Sequence, residues 1–509
     1  MNKFKMLAVL ALLAVVPACM EMDLENPNAP NAEEALANPG DVEALLATGF
    51  YRIWNGTQKT GMPFMISVAA NEQSSSWGNF GMQDVGTVPR TAWDNSPTYG
   101  YRGSITSPWS NIYQSLSNMA DGMFAIDVAD VRFISSSGED NTPRARAYAR
   151  LSQGLGHGLL ALMYDQAIIF DETIDLATAE LTPRPYNEVM DAALAYLDDA
   201  IAIAGANTFT IPGGEDGWIH GRSLTNQELA QWAHSLKARF LANVARTPDD
   251  RAAVDWNQVL FHVERGVQAE VDGPEGDGNI WWSGLAWYPN NWRRMAYDAI
   301  GMSDTSGGYA AWKAQPWADR NAFAMETPDR RIASPDNPLR GSYIEDVRNF
   351  GGSCSVFPND RGTYFQSCYH YVRYEYHQDT GARGQLPYFH KTEGDLLRAE
   401  AALRRGDLSA ALGYINLSRV GHGEMQPLTT SNTTMDQAWD WLHYEFSVEM
   451  PFSFSMASFT ANRGWGRLVC GTPHHFPVPG GELEQLELPN YTTGGSNPGT
   501  AVQPGCREM

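Results

Sequence analysis

The stretch NIWWSGLAWYPNNW, residues 279–292, gathers Trp281, Trp282, Trp287, Tyr288 and Trp292 around a glycine and a proline. An indole face packs against the C–H face of a flat ring such as a sugar, while rim hydroxyls need amide, carboxylate or guanidinium partners. Asn279, Asn290, Asn291, Arg293 and Arg294 supply such groups in the same stretch, and Asn71, Glu72, Gln73 and Asn79 supply them around Trp77. The candidate ligand-binding residues are therefore Trp77, Asn79, Trp282, Trp287, Tyr288, Asn291 and Trp292, with Trp312 from the same loop-rich region. Long loops also need small cores of their own, and large aromatics build them, so more than half of these tryptophans are expected to be plugs. If the chain is extended at Trp281 and Trp282, their side chains alternate, and one of the two must face inward. Trp109, Trp232 and Trp256 fall on helical stripes and belong to the core.

Covalent chemistry finds little support. No glycine-rich phosphate loop ends in Lys, and neither His-Glu-x-x-His nor Gly-x-Ser-x-Gly occurs. The 11 histidines are scattered; His157 sits among helical glycines and reads as structural. A glycosidase working through paired carboxylates stays open as an alternative, because nothing singles out a pair. The loop DGPEGDGN could offer Asp272, Glu275 and Asp277 to calcium, yet it lacks the spacing of a calcium loop and reads as a solvated acidic turn. No catalytic residue, metal or cofactor is assigned.

Behind these residues stand 509 positions, enough for one large or two to three ordinary domains, with 43% hydrophobic residues to build a core. A net charge of −23 argues against general binding of nucleic acid. At the N-terminus Lys3 and Lys5 precede an apolar run from Met6 to Val16, which is too short to span a bilayer and has the length of a signal-peptide core. The following VPAC, ending at Cys19, resembles a lipoprotein signal with Cys19 as the lipid-modified residue, although Pro17 is unusual there; ordinary cleavage nearby is the alternative. Of the remaining cysteines, Cys354–Cys368 and Cys470–Cys506 are the favoured pairs because each closes the shorter loop; the alternative is reduced thiols.

The elements that must position the aromatic loops are mostly helical. Residues 19–40 read as a tether after a signal peptide at 1–18. Asp41 is expected to cap a continuous helix, DVEALLATGFYRIW. Helical periodicity covers about 41–56, 106–270 and 391–420, with Pro143 opening one helix and Ala147, Gly154, Gly156 and Gly158 allowing close helix approach. The stretch EGDLLRAEAALRRGDLSAALGYINLSRV looks like a tetratricopeptide hairpin turning at Arg405–Asp407, or a plain αα-hairpin. Loop-rich insertions occupy about 57–105 and 271–390, with an alternating YFQSCYHYVRYEYH that suggests a short strand or hairpin, and the chain is again loop-rich over 451–509.

In order along the chain, several segments resemble the SusD/RagB family of outer-membrane nutrient-binding lipoproteins. They are the start LENPNAPNAEEALANPGDVEALLATGFYRIW; WSNIYQSLSNMADGM with Trp109, Tyr113 and Asn118; TPDRRIA with Pro328, Asp329 and Arg330; the hairpin with Glu400 and Asn416; and GTPHHFPVPGGELE with Pro477, Pro479 and Glu482. LHYEFSVEM departs from the Glu-Arg-rich helix usual there. The resemblance implies a mainly α fold, with a SusD-like helical body of tetratricopeptide-like pairs, a loop-rich face and minor short β-hairpins, in a single domain over 41–509. It implies a lipid-anchored protein of the outer membrane, facing the cell exterior, that binds oligosaccharide and passes it to a SusC-like TonB-dependent transporter. It is then a binder and not an enzyme. Peptide binding on the same scaffold, a surface glycoside hydrolase and a structural helical-repeat adaptor are the alternatives.

Overall fold

Asn38 caps the first helix by accepting a hydrogen bond from the amide of Gly40. Helix α1 spans Pro39–Ala47 and α2 spans Gly49–Thr57. The expected single helix is thus broken, and its cap is Asn38 rather than Asp41, which lies in the first turn. Thr48 marks the break: its hydroxyl donates to the Leu45 carbonyl and accepts from Asn118 at 2.7 Å, tying the joint to a later helix. The structure, a computed structural model, describes residues 36–59, 61–175, 178–284, 292–335, 341–350, 354, 361–451, 456–495 and 506. Cys19 and the proposed signal and tether before residue 36 lie outside them.

Further helices are α3 (Met62–Ala69), α4 (Gly103–Asp127), α5 (Thr142–Met163), α6 (Tyr186–Ala206), α7 (Asn226–Asn243) and α8 (Trp256–Arg265). After the long insertion come α9 (Lys391–Arg404), α10 (Leu408–Gly421), α11 (Met435–Glu449) and α12 (Ala457–Gly464). From α4 to α10 each helix packs on the next in sequence, and α11 closes on both α9 and α10. This neighbour-on-neighbour order is that of a helical-repeat array. Local chemistry stops and starts the helices. Thr225 with Glu228, and Thr434 with Gln437, form capping boxes. In the hairpin turn Gly406 takes φ +76°, and Asp407 caps α10 by accepting from the amide of Ala410.

The second half of α5 is buried on every side. Its glycines make that possible: a Cβ on Gly154 would lie 2.6 Å from Leu197 of α6, and one on Gly158 only 2.1 Å from the Phe240 ring of α7. His157 is enclosed there; its Nδ1 bonds the Gln153 carbonyl and its Nε2 accepts from the amide of Phe170, so it is structural. Two buried arginines finish the helix. Arg246 donates to the carbonyls of Ala161, Leu162 and Tyr164, and Arg463 to those of Leu162, Asn243, Ala245 and His474. A guanidinium suits this position because the free carbonyls of a helix end are partly negative.

Buried ion pairs join the two halves of the chain. Arg239 grips Glu393, and Arg251 grips Glu400, each through two hydrogen bonds. Arg331, of the TPDRRIA segment, meets Asp329, Glu445 and Glu449 at 2.7 Å each, with all four side chains shut away from water. The carboxylates of LHYEFSVEM therefore answer an arginine from outside their own helix.

Strands are two or three residues long and pair antiparallel. They are β1 (Gln73–Ser74), β2 (Gln166–Ala167), β3 (Arg184–Pro185), β4 (Thr210–Ile211), β5 (Leu224–Thr225), β6 (Val271–Asp272), β7 (Gly276–Asp277), β8 (Arg294–Met295), β9 (Ile344–Asp346), β10 (Tyr369–Tyr371), β11 (Arg383–Gly384) and β12 (Pro387–Phe389). The YFQSCYHYVRYEYH stretch supplies β10, which pairs with β9. Ribbon β1–β8 fastens the two loop insertions to one another, and β6–β12 and β7–β11 close the two ends of the second insertion on each other. Cys354 and Cys368, and Cys470 and Cys506, are joined as disulfides, each with Cα atoms 4.8 Å apart.

Candidate ligand-binding face

The β1–β8 ribbon sets Gln73 against Met295 and Ser74 against Arg294. Beyond the ribbon, where that register would set Ser76 opposite Trp292, Trp77 and Trp292 stack with centroids 6.2 Å apart and planes 28° apart. Ser75 locks the arrangement. Its hydroxyl donates to the Trp292 carbonyl at 2.6 Å and accepts the amide of Trp77 at 3.2 Å. The Trp77 carbonyl is held in turn by the amide of Gln83. Trp77 stays 38% exposed, and Trp292 is partly covered beneath it. Asn79 is half-buried at the start of the short turn that follows. Tyr101, which is 39% exposed, lies against the same segment, since a Cβ on Gly78 would sit 3.0 Å from its hydroxyl.

Trp282 belongs to a second aromatic group, which is partly open to solvent. Its carbonyl accepts from the Trp54 indole of α2 at 3.0 Å, and the amide of Gly284 donates to the Gln58 carbonyl at 2.7 Å. Lys59, just beyond α2, places its ammonium 5.3 Å from the Trp282 ring and 5.6 Å from the Tyr51 ring. Of the neighbouring tryptophans, Trp281 faces inward as the alternation requires, packing on Tyr51 and Trp54, while Trp282 remains partly open. The buried ring of Phe64 touches the segments that carry both groups. It stacks under the Arg293 guanidinium at 3.8 Å, meets Phe80 at 5.4 Å, and would touch a Cβ on Gly284.

Trp312 is corrected by its surroundings. It is 3% exposed, with Tyr297 and Tyr309 against its ring and the Arg320 guanidinium 4.5 Å from its centroid, so it is a core plug. The polar partners expected around the tryptophans also move inward. Arg293, Arg294, Asn71, Glu72 and Gln73 are buried, and Asn71 donates to Asp298 instead of facing solvent. Trp93 is likewise a plug, between Tyr99 and Phe476. Trp109, Trp232 and Trp256 are buried as their stripes require. Trp287, Tyr288 and Asn291 lie outside the described residues. The sequence reading passed over Tyr101, Tyr51 and Lys59. Only their spatial neighbours mark them, although a lysine in a chain with so few was a signal.

The motif residues hold structure. Tyr113 bonds both the amide and the carbonyl of Ile168, and Asn416 does the same for Leu428. The DGPEGDGN loop is folded into β6 and β7, and Asp277 accepts from the amides of Asn279 and Trp281. Among the described residues there is no group of three or more His, Cys, Asp or Glu side chains placed to hold a metal ion, and no helix is long and apolar enough to cross a membrane.

No protein-family model and no curated protein sequence matches the chain. Solved structures do. A SusD-like carbohydrate binding protein from Bacteroides fragilis NCTC 9343 superposes with a TM-score of 0.53 at 13% identity, covering 86% of this chain and 90% of its own. A SusD superfamily protein from Bacteroides fragilis gives 0.52 at 14% identity, covering 92% and 96%. One from Bacteroides vulgatus ATCC 8482 gives 0.51 at 12% identity, covering 85% and 89%. At such identities the likeness is one of fold: this chain has a fold like that of the SusD-superfamily structures.

Proposed function

We propose that the protein is a surface lipoprotein, anchored through Cys19, that binds oligosaccharide on its loop face and delivers it to a SusC-like TonB-dependent transporter. The observation that carries the binding reading is the Trp77–Trp292 stack, with Trp77 as its exposed ring, locked by Ser75 on a ribbon between two distant loops. A preformed aromatic platform loses little conformational freedom on binding, which favours a ligand with a flat apolar face such as the C–H face of a pyranose ring. The lipobox-like VPAC supports the anchor, and the shared fold supports the transporter partnership. Tyr101, Asn79, Trp282 and the loop containing Trp287, Tyr288 and Asn291 are the remaining contacts in this reading.

The test is binding of purified protein to a panel of oligosaccharides and peptides, with Trp77→Ala and Trp292→Ala compared at unchanged folding. Loss of about tenfold or more in glycan affinity is expected for each, in the range of a stacked aromatic contact. Unaltered affinity in both variants for a ligand the wild type binds would remove the platform from the site. Turnover of any glycan by the wild type would favour the hydrolase.

A further inference from the structure

Lys59 stands out within this face. The chain has only 36 basic residues against 59 acidic ones, and its lysines are outnumbered by arginines that are largely committed to internal pairs. Lys59 has no such commitment. Among the described residues it makes neither a salt bridge nor a hydrogen bond, and its ammonium rests against the rings of Tyr51 and Trp282. Burial, the largest influence, lowers its pKa, and the Asp277 charge opposes that. Asp277 forms no salt bridge with it; its Oδ1 accepts from the amides of Asn279 at 2.7 Å and Trp281 at 2.9 Å. A partly desolvated ammonium with aromatic neighbours and no hydrogen-bonded anion keeps most of its capacity for a charge-assisted hydrogen bond.

We infer that the oligosaccharide bound on this face carries an anionic substituent, a carboxylate or a sulfate, and that Lys59 receives it. The inference rests on the glycan-binding reading above and narrows it from any sugar to an acidic one. Phe64 links the segments that carry the two groups: Arg293, next to Trp292, stacks on its ring, and a Cβ on Gly284, two residues after Trp282, would lie 3.2 Å from it. One sugar unit would stack on the tryptophans while the charged unit meets Lys59, with Trp282 and Tyr51 covering its ring.

The test is a panel of soluble oligosaccharides measured by calorimetry on the full protein. Oligogalacturonates supply carboxylates, carrageenan oligosaccharides supply sulfates without carboxylates, and methyl-esterified oligogalacturonates and cello-, malto- and xylo-oligosaccharides are neutral. Preference for one acidic class, weakened about tenfold or more in Lys59→Gln and retained in Lys59→Arg, is the expected result; which acidic class binds separates carboxylate from sulfate. Both variants are checked for unchanged thermal unfolding. Binding only to neutral glycans, or acidic binding that Lys59→Gln leaves intact, overturns the inference. In either case Trp77→Ala still reports on the platform, so that reading is judged separately. A panel with no binder overturns both.

Discussion

Ser75 donates its hydroxyl hydrogen to the main-chain oxygen of Trp292 at 2.6 Å, across 217 positions of sequence. The same oxygen of Ser75 accepts from Trp77, so one small side chain sets the spacing of two large rings. Ser75→Ala should keep both tryptophans and lose their alignment. The expected outcome is a glycan affinity reduced about three- to tenfold with near-normal stability, since a lost hydrogen bond of this kind is worth about 1 kcal/mol. Titration calorimetry beside a denaturation curve checks both parts.

Arg331 is the strongest point of the buried polar network. Burial opposes its charge, but Glu445, Asp329 and Glu449 hold it well above its ordinary range. Removing the guanidinium leaves three carboxylates facing each other without water. Arg331→Ala is expected to destabilise by about 3–5 kcal/mol, the cost typical of stripping one partner from a buried ion pair. Guanidinium denaturation midpoints measure it. Arg330→Ala, next to it but outside that carboxylate cage, serves as the comparison and should cost far less.

Two glycines should answer the same substitution with opposite signs. Gly158→Ala drives a Cβ into the Phe240 ring and should destabilise by about 1–3 kcal/mol through overpacking. Gly413 lies within α10 with open space around it, so Gly413→Ala should stabilise by about 0.5–1 kcal/mol through helix propensity alone. Thermal melts of the two variants, run side by side, make the comparison.

Acid should weaken the fold well before carboxylate titration begins. Burial lowers His157 and His474 to about 4 and His475 to about 3, with the Arg246 charge adding to the effect at the last two. Their folded values lie below the unfolded value of 6.5, so between roughly pH 6.5 and 4 the unfolded chain takes up protons that the native chain refuses. Stability therefore rises with pH across that window, by on the order of 1 kcal/mol per pH unit for a fully buried imidazole such as His157. Glu449 acts in the same direction at lower pH. Burial would raise it, but His422, Arg331 and Arg373 hold it at about 2, so its contribution is lost as pH falls from 4.5 toward 2. Denaturation midpoints taken from pH 7.5 to 4.5 should decline steadily, and a flat profile above pH 5 would contradict this assignment.

What local pattern encodes was legible in the sequence. Apolar spacing placed the helices, glycines at helix-contact positions announced close packing along α5, and the Gly406–Asp407 turn announced the α9–α10 hairpin. The resemblance of ordered motifs led to the fold. The local break at Thr48 was not legible, because a helix-compatible stretch is interrupted there by Asn118 from α4. Nor was the split of the tryptophans. Trp312 and Trp77 both fall in stretches whose sequence reads as loop, but Trp312 sits in a short helix, Gly308–Ala314, and is enclosed by Tyr297, Tyr309 and Arg320.

By itself the sequence determined the helical array, its tight turns and the presence of aromatic loops, because propensity, capping and periodicity act over a few neighbouring residues. The tertiary structure alone decided which rings meet and which residue partners which: Trp77 with Trp292, Lys59 with Trp282, Arg331 with Glu445 and Glu449. Those contacts join segments tens to hundreds of residues apart, and their geometry follows from how the packed helices deliver the loops to one face.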